Sequence, residues 1–170
     1  CFGPVYPFKE CFDWAKGKDI DFWGLTGDTK TDWLGTKDYL HYNESRVHMQ
    51  SYFLVLRRPL LGSSLLKEFF NEIPEDTSYV FSGCYYEYAF PGYFEERGYR
   101  GALYCSDEDD MDYPLLYNPA SLLRRYRMPL FKKRSFFHHY TDVLNHSAGE
   151  ATARLIAFLQ EETDYDMNLV

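Results

Sequence analysis

The chain has 170 residues, 45% of them hydrophobic and 19% aromatic; that supplies one sizeable core and excludes a disordered, collagen-like or coiled-coil chain. With 26 acidic against 18 basic side chains and a net charge of −8, there is no overall field to attract a polyanion, so no nucleic-acid partner is expected. The run Tyr52 to Leu56 stops at Arg57 and Arg58, far short of the roughly 20 apolar residues of a membrane-spanning helix, and the sequence reads as a single domain over 1–170.

Phe8, Cys11, Phe12 and Ala15 fall on one face at helical spacing, and Pro7 suits a first turn, so a short helix is predicted there. Asp21 to Thr26 reads as a buried strand closed by a turn at Gly27-Asp28. The polar stretch Thr29 to Arg46 shows no sustained period and reads as a long loop, of the kind compact domains keep for function. Val47 to Arg58 is rich in β-formers and predicts the strongest strand of the chain. Pro59 and Gly62 punctuate, then Ser63-Ser64 can cap a helix carrying Leu65, Leu66, Phe69 and Phe70, which Ile73-Pro74 ends. Tyr86, Phe90, Tyr93 and Phe94 give the segment Tyr79 to Arg97 one helical face, with Pro91 as a kink or boundary and Gly98 as the C′ residue. Tyr99 to Cys105 predicts a strand, and Ser106 to Asp112 an acidic loop. A basic helix follows Asn118-Pro119 and Ser121, and Ala151 to Glu161 predicts an amphipathic helix through Ala153, Leu155, Ile156 and Leu159. Alternating helices and strands place the chain in the α/β class.

Several residue groups bear on chemistry. Cys1, Cys11, Cys84 and Cys105 form no C-x-x-C pair and no basic-then-apolar leader is seen, so reduced thiols in a cytoplasmic setting are expected. Asp107 to Asp112 offers hard oxygen ligands but lacks the turn glycine and closing glutamate of a calcium loop, and reads as solvated. His41, His48, His138, His139 and His146 show no zinc spacing. Six cations crowd the eleven positions from Arg124 to Arg134: Arg124, Arg125, Arg127, Lys132, Lys133 and Arg134. That asymmetry in an acidic chain has three readings: a solvated helix face, a contact with anionic lipid headgroups, or a site for a diphosphate. Trp23, Trp33, Tyr39 and Tyr42 lie in or beside the long loop; exposed aromatic faces can stack on sugars, a reading open for Trp33 and Tyr39, while most of the aromatics fill the core.

Three phrases in order, Asp21-Phe22-Trp23-Gly24-Leu25-Thr26, His48-Met49-Gln50-Ser51-Tyr52-Phe53-Leu54-Val55-Leu56-Arg57-Arg58, and Tyr86-Glu87 with Gly98-Tyr99 after it, resemble the rhamnan synthesis protein F family of bacterial cell-surface polysaccharide assembly. That family looks like a branch of the GT-A glycosyltransferases. Phe2-Gly3-Pro4 and Pro129-Leu130-Phe131-Lys132-Lys133 also match places where the family carries Gly-Pro and Pro-x-x-Lys, so the resemblance spans roughly residues 2 to 134. It implies a GT-A-like mixed sheet flanked by helices, representing the acceptor-side portion, with the N-terminal nucleotide-binding half outside this chain. The implied activity is that of a rhamnosyltransferase-like enzyme moving a sugar from a nucleoside-diphosphate donor to a polysaccharide or lipid-linked acceptor. A divalent metal, Mg²⁺ or Mn²⁺, goes with such enzymes, but no ligands for it are identified in this chain. By the same resemblance Glu87, which precedes Gly98-Tyr99 by eleven positions, is the general base. Lys132 and Lys133 contact the diphosphate, and Arg57, His48, Gln50, Asp21 and Trp23 line the substrate cleft. The alternative for the basic segment 124–134 is peripheral contact with the inner face of the membrane, since such an acceptor is commonly built on a membrane lipid.

Two other function classes fit the residues. A non-catalytic carbohydrate-binding or polysaccharide-assembly module would have no use for the Glu87 carboxylate as a base. A glycoside hydrolase would require a second carboxylate about 5–10 Å from Glu87. Composition and periodicity alone support an α/β domain with one basic patch.

Overall fold

The computed structural model describes residues 2–28, 48–73, 84–105, 115, 118–136 and 148–169. In chain order the elements are β1 (Phe2–Pro4), α1 (Lys9–Lys16), β2 (Phe22–Gly24), β3 (Gly27–Asp28), β4 (His48–Met49), β5 (Leu54–Leu56), α2 (Arg58–Leu61) and α3 (Ser64–Glu72). There follow a π-helical turn (Cys84–Ala89), α4 (Phe90–Glu95), β6 (Gly101–Leu103), α5 (Pro119–Tyr126), β7 (Leu130–Lys132), a 3₁₀ turn (Lys133–Phe136), α6 (Ala148–Glu162) and a closing 3₁₀ turn (Met167–Leu169). This is a mixed α/β fold. The expectations for the 29–46 loop with Trp33, Tyr39 and Tyr42, for the acidic loop, and for His41, His138, His139 and His146 fall outside the described residues.

The described residues group into two compact units, Gly17–Glu108 and Cys1–Lys16 with Asp109–Val170. The first holds a mixed three-stranded sheet of order β5-β2-β6. β2 sits in the middle because all three of its residues are buried; it pairs antiparallel with β5 (Phe22 opposite Leu56) and parallel with β6 (Phe22 opposite Gly101). A core of Phe22, Met49, Leu60, Phe69, Ala89, Phe90, Tyr93, Phe94 and Leu103 lies against this sheet. Phe94 is fully buried at its centre, with ring centroids at 4.7 Å from Phe90, 5.0 Å from Tyr93, 5.6 Å from Phe69 and 6.2 Å from Phe22. Each such ring removed from water contributes roughly 1.5–3 kcal/mol, and tilted or edge-on pairs add about 0.5–1.5 kcal/mol beyond that.

The strand expected over Val47 to Arg58 is in fact two. β4 ends at Met49, the chain turns through Ser51 and Tyr52, and β5 begins at Leu54. Gly27-Asp28, expected as a turn, is instead a strand paired with β4, Gly27 opposite Met49 and Asp28 opposite His48. Glycine is required at 27, because a Cβ there would stand 1.8 Å from the His48 carbonyl oxygen. Pro59, expected only as punctuation, opens the single turn of α2.

The segment expected as one helix around Pro91 divides there, with the π-helical turn before it and α4 from Phe90. Proline has no N–H to offer the carbonyl four residues back, that of Glu87, so the ordinary helical ladder cannot run through this point. The wider turn also breaks the expected face: Phe90, Tyr93 and Phe94 are buried, but Tyr86 is 40% exposed. Gly98 closes α4 as expected, at φ +85. Its N–H donates to the Glu95 carbonyl and that of Tyr99 to the Phe94 carbonyl, the paired bonds of a Schellman ending.

In the other unit β1 and β7 pair antiparallel, with Gly3 opposite Phe131. The fully buried Phe131 ring covers Gly3 and meets Phe136 at 5.4 Å and Tyr165 at 5.2 Å. The basic helix starts at Pro119, ahead of Ser121, and stops where Arg127 turns left-handed at φ 48. α6 is longer than expected, and its buried face is Ala151, Thr152, Leu155, Phe158 and Leu159; Ala153 points to solvent.

Candidate active site

Glu87 lies in the π-helical turn, and the surrounding fold delivers three hydrogen-bond donors to its carboxylate. His48 Nε2 stands 2.9 Å from Oε2, and the Ser51 N–H (2.9 Å) and hydroxyl (2.8 Å) both donate to Oε1. β4 fixes His48 by its ladder with β3, and the turn after β4 brings Ser51 round to the same carboxylate. The His48 imidazole is also stacked flat on Tyr88, 4.1 Å between centroids and 2° between planes. Its side chain is 3% exposed and that of Glu87 26%, so the carboxylate is the member of the pair that solvent and small molecules reach. Burial pushes the Glu87 carboxyl up, but the donated bonds from His48 and from the Ser51 N–H and hydroxyl outweigh it and hold the group below the usual glutamate range. Glu87 is therefore ionised at neutral pH. An ionised carboxylate only accepts hydrogen bonds, so Nε2 of His48 carries the proton between them.

The sign of the pH dependence follows from that depression. The stabilisation Glu87 contributes is fully present above its unfolded value, near 4.5, and is lost as pH falls through the lower folded value. The stability difference between wild type and Glu87→Gln, followed by urea denaturation from pH 7 downward, is expected to hold steady and then shrink below about pH 4.5. A difference that stays constant to pH 3 would mean the carboxylate gains nothing from its donors.

A second polar cluster shares the same turn. The buried Thr26 hydroxyl donates to Gln50 Oε1 at 2.6 Å, and the Tyr52 hydroxyl stands 2.7 Å from the Thr26 oxygen. Thr26 has one proton and spends it on Gln50, so the Tyr52 phenol donates. Burial pushes that phenol well above its ordinary range, which keeps the proton in place.

The substrate contacts expected from the sequence divide accordingly. Glu87 and His48 meet directly, and Gln50 is turned to Thr26 two residues from His48. Asp21 and Arg57 sit at the opposite end of the β2–β5 ladder: Asp21 Oδ2 accepts the Arg100 N–H at 2.9 Å, and Arg57 Nη1 donates to the Lys18 carbonyl at 2.9 Å. Trp23 is 1% exposed and packs against Phe53 at 5.6 Å; it is a core side chain and presents no face to a sugar. Lys132 and Lys133 belong to the other unit, Lys132 half-buried in β7 and Lys133 donating through Nζ to the Leu169 carbonyl. Ser51 received no role from the sequence; its only signal was a small polar residue interrupting an apolar β-rich run.

The basic segment is in part neutralised inside its own unit. Arg124 pairs with Glu162 and lies 5.2 Å over the Phe158 ring. Arg127 gives its Nε to both Glu10 oxygens, at 2.8 and 3.0 Å, and stacks 4.3 Å over Tyr6. These pairs are half exposed and worth at most about 1 kcal/mol each, but they remove two of the cations the sequence offered to an outside anion. Cys11 and Cys105 form no disulfide, and both are buried. Among the described residues no three His, Cys, Asp or Glu side chains converge as metal ligands, and no helix is long and apolar enough to cross a membrane.

The family model for rhamnan synthesis protein F covers residues 1–170, the whole chain. No curated protein and no solved structure matches significantly.

Proposed function

The chain belongs to the rhamnan synthesis protein F family, and from that premise we propose that it is a glycosyltransferase, moving a sugar from a nucleoside-diphosphate donor to a growing cell-surface polysaccharide. Membership gives the protein a role in rhamnan synthesis, hence in polysaccharide biosynthesis. One observation supports the finer reading above the others: Glu87 is an ionised, partly exposed carboxylate held by His48 and Ser51, at the position where the resemblance to GT-A enzymes calls for a general base.

The chemistry asked of it is proton removal. The acceptor hydroxyl donates to the carboxylate; its oxygen forms a bond to the anomeric carbon as the proton passes to Glu87. The bond from that carbon to the diphosphate oxygen breaks, and its electron pair leaves with the nucleoside diphosphate. Negative charge grows on the leaving group, which cationic side chains stabilise; Lys132 and Lys133 are our candidates for that contact.

The test is elongation. The full chain is incubated with deoxythymidine- and uridine-diphosphate sugars and a rhamnose oligosaccharide, with and without Mg²⁺ or Mn²⁺, and the acceptor is followed by mass spectrometry. Gain of one sugar unit is expected. Binding of the oligosaccharide with no elongation from any donor would replace the transferase by an assembly module. Calorimetry with the two free diphosphates, repeated on Lys132→Ala, tests the diphosphate contact separately.

A further inference from the structure

The three donors on Glu87 leave its oxygens unequal. A carboxylate offers about four acceptor positions, two on each oxygen. Oε1 takes both its bonds from Ser51, one from the backbone N–H and one from the hydroxyl. Oε2 takes one, from His48. Among the described residues nothing else donates to this carboxylate, so a single acceptor position is left, on Oε2.

From this geometry we infer that Ser51 and His48 are positioning residues: they lock the Glu87 carboxylate so that its one open lone pair, on Oε2, receives a sugar hydroxyl. His48 is then not a sugar contact but the group behind the base, buried where Glu87 is partly open. Its own plane is fixed by the stack on Tyr88 and its backbone by β3. Ser51 fixes the other oxygen, and because one residue supplies both donors, the carboxylate cannot rotate without losing two bonds together. A base aimed in this way meets the hydroxyl in one orientation, which is where positioning gives most rate. The donors that hold Glu87 below the usual glutamate range also make it a weaker base. It therefore takes the proton late, once the new bond to the anomeric carbon has made that proton acidic. Among the described residues the titratable groups that face Glu87 or its partners are His48 from β4, Tyr52 from the following turn, and Tyr88, stacked on His48, from the π-helical turn.

The identity of the hydroxyl donor rests on the transferase reading; the locking of the carboxylate does not, and the experiment separates the two. Glu87 is titrated in the full chain by carboxyl ¹³C NMR, assigned against Glu87→Gln, in wild type, Ser51→Ala, Ser51→Thr and His48→Phe. Ser51→Ala keeps the backbone donor, so its fold is expected to survive, with the Glu87 midpoint raised by about half a unit to one unit, a three- to tenfold change in proton affinity. Ser51→Thr restores the hydroxyl and should return the midpoint to the wild-type value; His48→Phe, which keeps a flat ring against Tyr88 but offers no donor, should raise it as Ser51→Ala does. In the elongation assay the acid limb of kcat/KM should move up with the same midpoint, and kcat should fall about tenfold in Ser51→Ala with KM little changed. An unmoved Glu87 midpoint in folded Ser51→Ala and His48→Phe overturns the inference. A midpoint that moves as expected in a chain that elongates no acceptor upholds the locking and removes the transferase.

Discussion

Glu87→Gln is expected to lower sugar transfer by about two to four orders of magnitude while costing the fold only about 1–2 kcal/mol. The two effects separate because the amide keeps the shape of the carboxylate. Its oxygen still accepts the Ser51 N–H and hydroxyl, which both converge on one oxygen, and its NH₂ faces His48, whose ring accepts once its proton moves to the other nitrogen. What the amide cannot do is take a proton. Glu87→Ala is the contrasting variant: it leaves His48, 3% exposed, and the Ser51 N–H without their acceptor, and should cost about 2–4 kcal/mol. The measurement is elongation rate beside a urea midpoint for each variant. If Glu87→Gln elongates the acceptor within threefold of wild type, the carboxylate is not the base and the transferase must take its proton elsewhere.

Phe94→Ala should have the largest effect on stability, about 3–5 kcal/mol, out of the roughly 5–15 kcal/mol typical of a domain. Phe94 is fully buried, and its ring meets Phe22, Phe69, Phe90, Tyr93 and Tyr99. Five partners, one of them on the central strand, cannot all move in to fill the space a ring leaves, so the cavity cost adds to the lost burial. Phe70→Ala is the control: the same deletion, but at a ring 48% exposed on the outer side of α3, and expected to cost under about 1 kcal/mol. Denaturation midpoints of the two variants compared under one condition decide it. Equal losses would mean that the core around Phe94 collapses freely and that the aromatic cluster carries no special weight.

Local signals in the sequence were legible wherever the physics is local. The helices α1, α3 and α6 follow from apolar spacing, since residues three and four apart share a face whatever the rest of the chain does. Gly98 could be assigned to a helix end because few other residues accept its backbone angle. Pro91 marked a boundary for an equally local reason, the absent N–H. Elsewhere the same reasoning misled. Tyr86 was placed on the buried face because the count assumed an ordinary helix, which the π-helical turn is not. The β-rich run from Val47 was read as one strand because propensity does not register that Ser51 has a better partner than a neighbouring strand, the carboxylate 36 residues on. The family resemblance puts Trp23 on the cleft wall, whereas β2 is the middle strand and buries it.

By itself, then, the sequence determined the α/β class, the caps and breaks of the helices, and Glu87 as an acid worth testing. Only the tertiary structure decided that His48 and Ser51 would meet Glu87, that Arg124 and Arg127 would be taken by Glu162 and Glu10, and that Phe2–Pro4 would pair with Leu130–Lys132. The difference is physical. A helix face or a glycine ending is set by neighbours a few residues away, whose closeness the chain guarantees. A contact across 39 or 117 residues must first overcome the entropy of closing the loop between them, and it forms only where the packing of the whole unit has already brought the two ends together.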